Sequence, residues 1–153
     1  MKILVAIDDS AGSRAVVKEV AQRPWPTGST VIVFSVYEMS LGPMAVPWLV
    51  PHDEERIRQA ARKQAQDLVE TAAGKIDART KSELKITTKI MEGRPARAIL
   101  DQAERAKIDL ILVGSHGHTG WERLILGSIA HAVALHAPCS VEIVRQRKKH
   151  SKS

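Results

Sequence analysis

Leu110-Ile-Leu-Val-Gly114-Ser-His-Gly117-His-Thr-Gly120-Trp-Glu-Arg-Leu-Ile-Leu-Gly127-Ser128 runs from an apolar stretch through a glycine-rich loop into a second apolar segment. Leu110 to Val113 reads as a strand buried on both faces, as in a parallel sheet. Gly114 and Gly117 follow it three apart, and after nine further residues Gly127-Ser128 opens a helix-like segment. Glycine lets the main chain adopt positive φ and lets a ligand approach N–H groups with no Cβ in the way. A helix starting near Gly127-Ser128 adds free N–H donors and the positive end of its dipole. The arrangement suits an anion. No Gly-Lys-Ser/Thr closes the segment, so it is not a Walker A loop, and the three glycines at 114, 117 and 120 do not follow G-x-G-x-x-G.

Working outward, short apolar runs alternate with longer helical periods, the signature of a parallel sheet covered by helices. Ile3 to Ile7 is a continuous apolar run, and Asp9 or Ser10 can cap a helix carrying Ala15, Val16 and Val20 that stops before Pro24 and Pro26. Val31 to Tyr37 forms a second strand. Gly42, Pro43, Pro47 and Pro51 make the stretch from Tyr37 to Pro51 an irregular loop. Asp53 to Ala73 reads as an amphipathic helix with Ile57, Ala61, Ala65, Leu68 and Ala72 on its buried face and Gly74 as its stop. Leu84, Ile86, Thr88 and Ile90 alternate with polar residues, as in a half-exposed edge strand. Pro95 opens a helix burying Ala96, Ile99, Leu100 and Ala103. Ser128 to His136 is helical, and Val141 to Val144 is the last strand. Five strands and four helices in alternation predict one doubly wound α/β domain over residues 1–145, followed by a basic, disordered tail at 146–153.

The Gly-x2-Gly-x9-Gly-Ser spacing resembles the nucleotide-binding motif of the universal stress protein family, in its ATP-binding branch. The similarity extends to Ile3-Leu-Val-Ala-Ile-Asp8-Asp-Ser10, to Glu92-Gly-Arg-Pro95, to Asp109-Leu-Ile-Leu-Val-Gly-Ser-His-Gly117 and to Ala137-Pro-Cys-Ser-Val141. This resemblance implies an adenine nucleotide alpha hydrolase-like sheet of order 3-2-1-4-5. Strands 1 and 4 would then lie side by side at the topological switch, where ligands bind beyond the carboxyl ends of the strands. Asp8 closes strand 1, and Val113-Gly114 closes strand 4.

Each candidate site residue follows from that placement. Gly114 and Gly117 would present N–H groups to phosphates, Gly127 would permit close approach at the helix start, and Ser128 would add a hydroxyl. Ile129 and Ala130 would continue the turn by main-chain N–H, although relatives carry a hydroxyl residue where this chain has Ala130. Asp8 can accept hydrogen bonds from a ribose hydroxyl or cap the first helix, and Asp9 is the second acid expected nearby. Ile7 and Val36 would wall an adenine ring, Val36 matching the family's adenine-contacting valine. His116 and His118 can touch phosphate when protonated; with no carboxylate partner they are not read as a metal site. Trp121 and Arg123 suit either loop packing and phosphate contact or the surface, and Trp48 suits either a partner or the core.

Composition narrows the classes. One cysteine, Cys139, excludes an internal disulfide and a cysteine-based zinc site. No apolar run approaches the roughly 20 residues of a membrane span, and the N-terminus reads as a strand and not a signal peptide, so a cytoplasmic location is expected. The net charge is +6, but Arg145, Arg147, Lys148, Lys149 and Lys152 leave only +1 for the rest. Such a tail can hold phosphates, yet the few aromatics offer no base-stacking platform, so nucleic acid is not the expected partner. Three functions remain: a nucleotide-binding regulator, a slow ATP hydrolase or autophosphorylating enzyme, and a nucleotide-free dimeric module. The non-binding branch lacks the glycine motif, which favours the regulator, with ATP carrying Mg²⁺ on its phosphates. The resemblance also implies a homodimer through Val141 to Val144, where Glu142 would face its own copy unless the register offsets the two.

Overall fold

The computed structural model describes residues 1–38, 51–80, 83–116 and 126–146. Its elements are β1 (Lys2–Ala6), α1 (Ala11–Gln22), β2 (Thr30–Tyr37), α2 (Pro51–Thr80), β3 (Lys85–Glu92), α3 (Pro95–Ala106), β4 (Leu110–Gly114), α4 (Ser128–His136) and β5 (Ser140–Val144). The sheet is parallel throughout, in the order β3-β2-β1-β4-β5. β1 is central: Ile3 pairs with Val31 of β2 on one side and Leu110 of β4 on the other. The doubly wound architecture and the order 3-2-1-4-5 expected from the sequence are therefore present.

Period-2 alternation in β1 divides the core between two layers. Ile3, Val5 and Ile7 pack with Val16 and Val20 of α1 and with Val69 and Ile76 of α2. Leu4 and Ala6 face the other way, against Ala98, Ile99 and Ala103 of α3 and Ala130 and Val133 of α4. Burial on both faces is why the run carries no polar residue. β3, at the sheet edge, keeps the alternation at Ile86 and Ile90, which pack towards α2, but Thr88 between them is exposed.

Three features of the helices differ from expectation. Gly74 does not end α2, which continues to Thr80 because Ile76, two residues further on, is fully buried. The buried seam of α2 is Ala65, Val69, Ala72 and Ile76, whereas Ile57 is 47 % exposed. A helix of 30 residues is about 45 Å long at 1.5 Å per residue, far longer than the eight-residue strand β3 beside it, and Ile57 in its second turn lies outside both described core clusters. In α3 the fully buried residues are Ala98, Ile99, Gln102 and Ala103, with Ala96 and Leu100 only half-buried. The Pro95 reading holds: the proline sits in the first turn, where its missing N–H removes no helical bond.

Gly74 is exposed inside a helix, and a Cβ built there meets nothing within 4 Å. Gly74→Ala is therefore expected to stabilise the protein by about 1 kcal/mol, the glycine-to-alanine helix difference. A rise in the urea midpoint with an unchanged slope would show it.

Edge strand β5 is fastened to α1 by charge. Arg23, the C-cap of α1, places Nη1 2.7 Å from Glu142 Oε2 and Nη2 on the other carboxylate oxygen, while Nη2 also reaches Glu19 at 2.8 Å. The guanidinium lies 5.1 Å from the centre of the Trp25 ring, whose Nε1 donates to Val20 O at 2.9 Å. Hydrogen bonding to Arg23 holds the Glu142 carboxyl below the ordinary value near 4.5, against a smaller upward push from burial. A depressed folded-state pKa contributes stability that is present above the unfolded value and lost as pH falls through the folded one. Glu142→Gln is thus expected to flatten the acid limb of the stability curve below about pH 4.3. The pair is about one-third exposed, so the effect at neutral pH is at most about 1 kcal/mol. Urea midpoints measured from pH 7 to pH 3 check this.

Candidate functional site

At the carboxyl ends of β1 and β4, a cavity of about 380 Å³ opens between the two helical layers, a size that falls within the range of small-molecule sites. Its apolar walls include Ile7 after β1, Phe34 and Val36 of β2, Ile99 of α3 and Val113 of β4. Its polar side is made by Asp8, Gly114, His116, Gly127 and the first turn of α4.

That first turn follows from local bonding. Ser115 extends the β4–β5 ladder by one step, its N–H donating to Val144 O at 3.0 Å. Its carbonyl then accepts the Gly127 N–H at 2.8 Å, which fixes the start of α4 against the end of β4. Gly127 is the N-cap and offers no side-chain hydrogen bond. The Ser128, Ile129 and Ala130 N–H groups are first-turn donors with no acceptor inside the helix; the first helical bond is His131 N–H to Gly127 O at 2.9 Å. A helix start without a side-chain cap among the described residues, its first three residues on the cavity wall, is a place for anionic oxygens.

Asp8 sits on the opposite wall. Its Oδ1 accepts the Ser10 N–H at 3.0 Å and the Ser13 hydroxyl at 2.6 Å, and Ser13 Oγ in turn accepts the Asp8 N–H at 2.8 Å. Ser10, not Asp9, caps α1, accepting the Ser13 N–H at 3.2 Å. Asp8 therefore does local structural work through Oδ1 while its residue lines the cavity.

His116 also lines the cavity. Ser115 Oγ and His116 Nδ1 are 3.0 Å apart, and His116 Nε2 is buried with no hydrogen-bond partner among the described residues. With the Ser115 hydroxyl donating to Nδ1, Nε2–H is a donor still to be satisfied.

Of the expected site residues, Ile7, Asp8, Val36, Val113, Gly114, His116, Gly127, Ser128, Ile129 and Ala130 converge on this cavity. Asp9 does not line it; it is exposed, and its carbonyl accepts from Arg14 Nη1 at 3.3 Å. Gly117, His118, Trp121, Arg123 and Trp48 lie outside the described residues. Ser13 and Glu38 line the cavity without having been singled out. Ser13 carried a faint signal, since it stands three residues after the cap Ser10; Glu38, one residue past β2, carried none. Cys139 stays a thiol, its pKa pushed up by burial and then by the charge of Asp109. Among the described residues no three metal-ligating side chains cluster, and no helix is long and apolar enough to cross a membrane.

An open parallel sheet with a crevice at its switch point defines a doubly wound α/β domain. The family model for the universal stress protein family matches residues 1–145, and the chain belongs to that family. A universal stress protein of Thermus aquaticus is 32 % identical over 146 residues, covering 94 % of this chain and 97 % of the relative. One of Methanocaldococcus jannaschii is 47 % identical over 66 residues, but the match spans only 43 % of this chain and 39 % of that relative. Among solved structures, the universal stress protein UspA of Lactobacillus plantarum superposes with a TM-score of 0.74 at 27 % identity, covering 95 % and 97 % of the two chains. A family member from Arabidopsis thaliana with AMP bound has a TM-score of 0.68 at 16 % identity, covering 100 % and 96 %. A universal stress protein in complex with cAMP has 0.61 at 20 %, covering 94 % and 96 %.

Proposed function

We propose that this chain binds an adenine nucleotide in the crevice, ATP with Mg²⁺ on its phosphates, and acts as a cytoplasmic regulator whose conformation or assembly follows occupancy. The observation that carries this reading is the meeting, in one cavity, of apolar walls with the N-terminus of α4, which has no side-chain cap among the described residues. The AMP and cAMP held by two relatives of the same fold support the choice of an adenine nucleotide. The base stacks between Ile7 and Val36, Asp8 and Ser13 face the ribose, and the phosphates take the N–H groups of Ser128, Ile129 and Ala130. His116 Nε2 supplies a further donor. Hydrogen bonds to a charged acceptor contribute about 1.5–3 kcal/mol each, and micromolar binding needs about 8 kcal/mol. Four such contacts give about 6–12 kcal/mol, so burial of the base on the apolar walls is needed as well to offset the cost of association.

Binding is favoured over fast catalysis. Phosphoryl transfer needs cationic groups around the γ-phosphate, and the described lining offers Asp8 and Glu38 but no lysine or arginine. The assembly is a homodimer through β5, which ends the sheet. Arg23 already neutralises Glu142 within the chain, which lowers the repulsion between two copies of that carboxylate. A two-dimensional amide spectrum recorded during a Mg·ATP titration tests the site. Saturable shifts at Ile7, Val36, Gly114 and Ser128 support it; shifts absent there, or spread over distant surfaces, contradict it. Sedimentation at micromolar concentration tests the dimer, and a monomer would remove it from the proposal.

A further inference from the structure

A second cavity, of about 500 Å³, lies along the seam between α1 and α2, on the sheet face away from α3 and α4. It follows α1 from Ser13 to Gln22, a length of about 14 Å at 1.5 Å per residue. Its floor is apolar, with Val17 and Ala21 from α1 and Leu68 and Ala72 from α2. Its rims are cationic on both sides, with Arg14 and Lys18 on α1 and Lys75 and Arg79 on α2.

The charges along the groove are almost all of one sign, four cations against a single acid. Outside the groove, nine of the described lysines and arginines have no carboxylate within 4 Å among the described residues, whereas Arg23, Arg58, Lys63 and Arg97 each do. None of the four rim cations does among the described residues; Arg14 reaches only the Asp9 carbonyl. The one acid in the lining is Asp8, whose Oδ1 is engaged with Ser10 and Ser13. An apolar slot bounded by four cations without carboxylate partners calls for a ligand with an aliphatic body and a negative head. The slot is too small for a helix, which is about 10 Å across, whereas its volume matches a small ligand.

We propose that this groove binds a single-chain aliphatic carboxylate, its tail along Val17, Ala21, Leu68 and Ala72 and its head on the rim cations. The groove shares Ile7, Asp8 and Ser13 with the crevice proposed for nucleotide.

The test is a titration of the full chain with dodecanoate below its micelle concentration, followed by calorimetry and by amide shifts. Saturable binding is expected, with shifts centred on Ala21, Ala72 and Ala78. Dodecyltrimethylammonium, which has the same tail and the opposite charge, is expected to bind at least about tenfold more weakly. Lys18→Glu with Lys75→Glu is expected to weaken dodecanoate by a similar factor. Ala78→Trp, at an exposed helical position of the lining, is expected to weaken it by filling the slot with no change of charge. Absence of saturable binding overturns the proposal. So does equal binding of the cationic amphiphile, indifference to both variants, or shifts centred on Val36 and Ala130, which would place dodecanoate in the nucleotide crevice instead. None of these outcomes depends on whether Mg·ATP binds.

Discussion

Gly12→Ala is expected to destabilise the protein by about 2 kcal/mol, although alanine is the better helix former by about 1 kcal/mol. Gly12 lies in the first turn of α1, and a Cβ there would stand 2.4 Å from the His116 carbonyl oxygen. The contact is reciprocal, since a Cβ on Gly114 would stand 2.9 Å from the Gly12 carbonyl carbon. Both obstacles are backbone, one in a helix and one two residues past the end of β4, so neither can swing aside as a side chain would. Relief requires α1 to lift from β4, which also disturbs the Asp8–Ser13 wall of the crevice. The melting temperature should fall by about 4–8 °C for a chain of this size. Gly114→Ala should cost a similar amount, and the double variant less than the sum, because lifting the helix once serves both. An unchanged or raised melting temperature for Gly12→Ala would mean that the two backbones are not in contact.

Ser128→Glu is expected to abolish measurable Mg·ATP binding, a loss of at least about a hundredfold, while leaving the fold intact or slightly firmer. The two effects have one origin. A carboxylate in the first turn of α4 complements the helix dipole, which contributes about 0.3–1 kcal/mol, and Ser128 is exposed, so there is room for it. The same carboxylate then occupies the place proposed for phosphate and repels it. Ser128→Ala, which removes only the hydroxyl, is expected to weaken binding no more than about tenfold. Calorimetry beside a thermal melt separates the outcomes. Equal affinity of Ser128→Glu and wild type would place the phosphates elsewhere.

How much of this was legible in the sequence depends on the range of the interaction. The two-faced burial of β1 and β4 is written in continuous apolar runs, and Pro95 marks its helix by a local rule. The spacing from Gly114 to Gly127-Ser128 placed the α4 terminus opposite Asp8, and Ile7 and Val36 followed from the strand ends. What was misread needed the third dimension. Gly74 is a stop signal in isolation, but the burial of Ile76 carries the helix past it. Ile57 keeps the helical period yet lies outside the described core. Gly12 has no local mark, because its constraint is the carbonyl of His116, more than a hundred residues away. Arg23 and Glu142 are 119 residues apart, so the partner that quiets the edge-strand glutamate could not be found by pattern. Glu38, rather than Asp9, is the second acid on the cavity wall, since the chain turns Asp9 outward at the start of α1.

The nucleotide reading rests on the crevice at the ends of β1 and β4. Calorimetric titration of the purified, nucleotide-stripped chain with Mg·ATP tests it most directly, with the Ser128→Glu variant alongside. One site per chain with a dissociation constant in the micromolar range, lost in the variant, is the expected result. Absence of heat with the wild type, at protein and nucleotide concentrations well above that range, would contradict it and return the glycine loop to a purely architectural role.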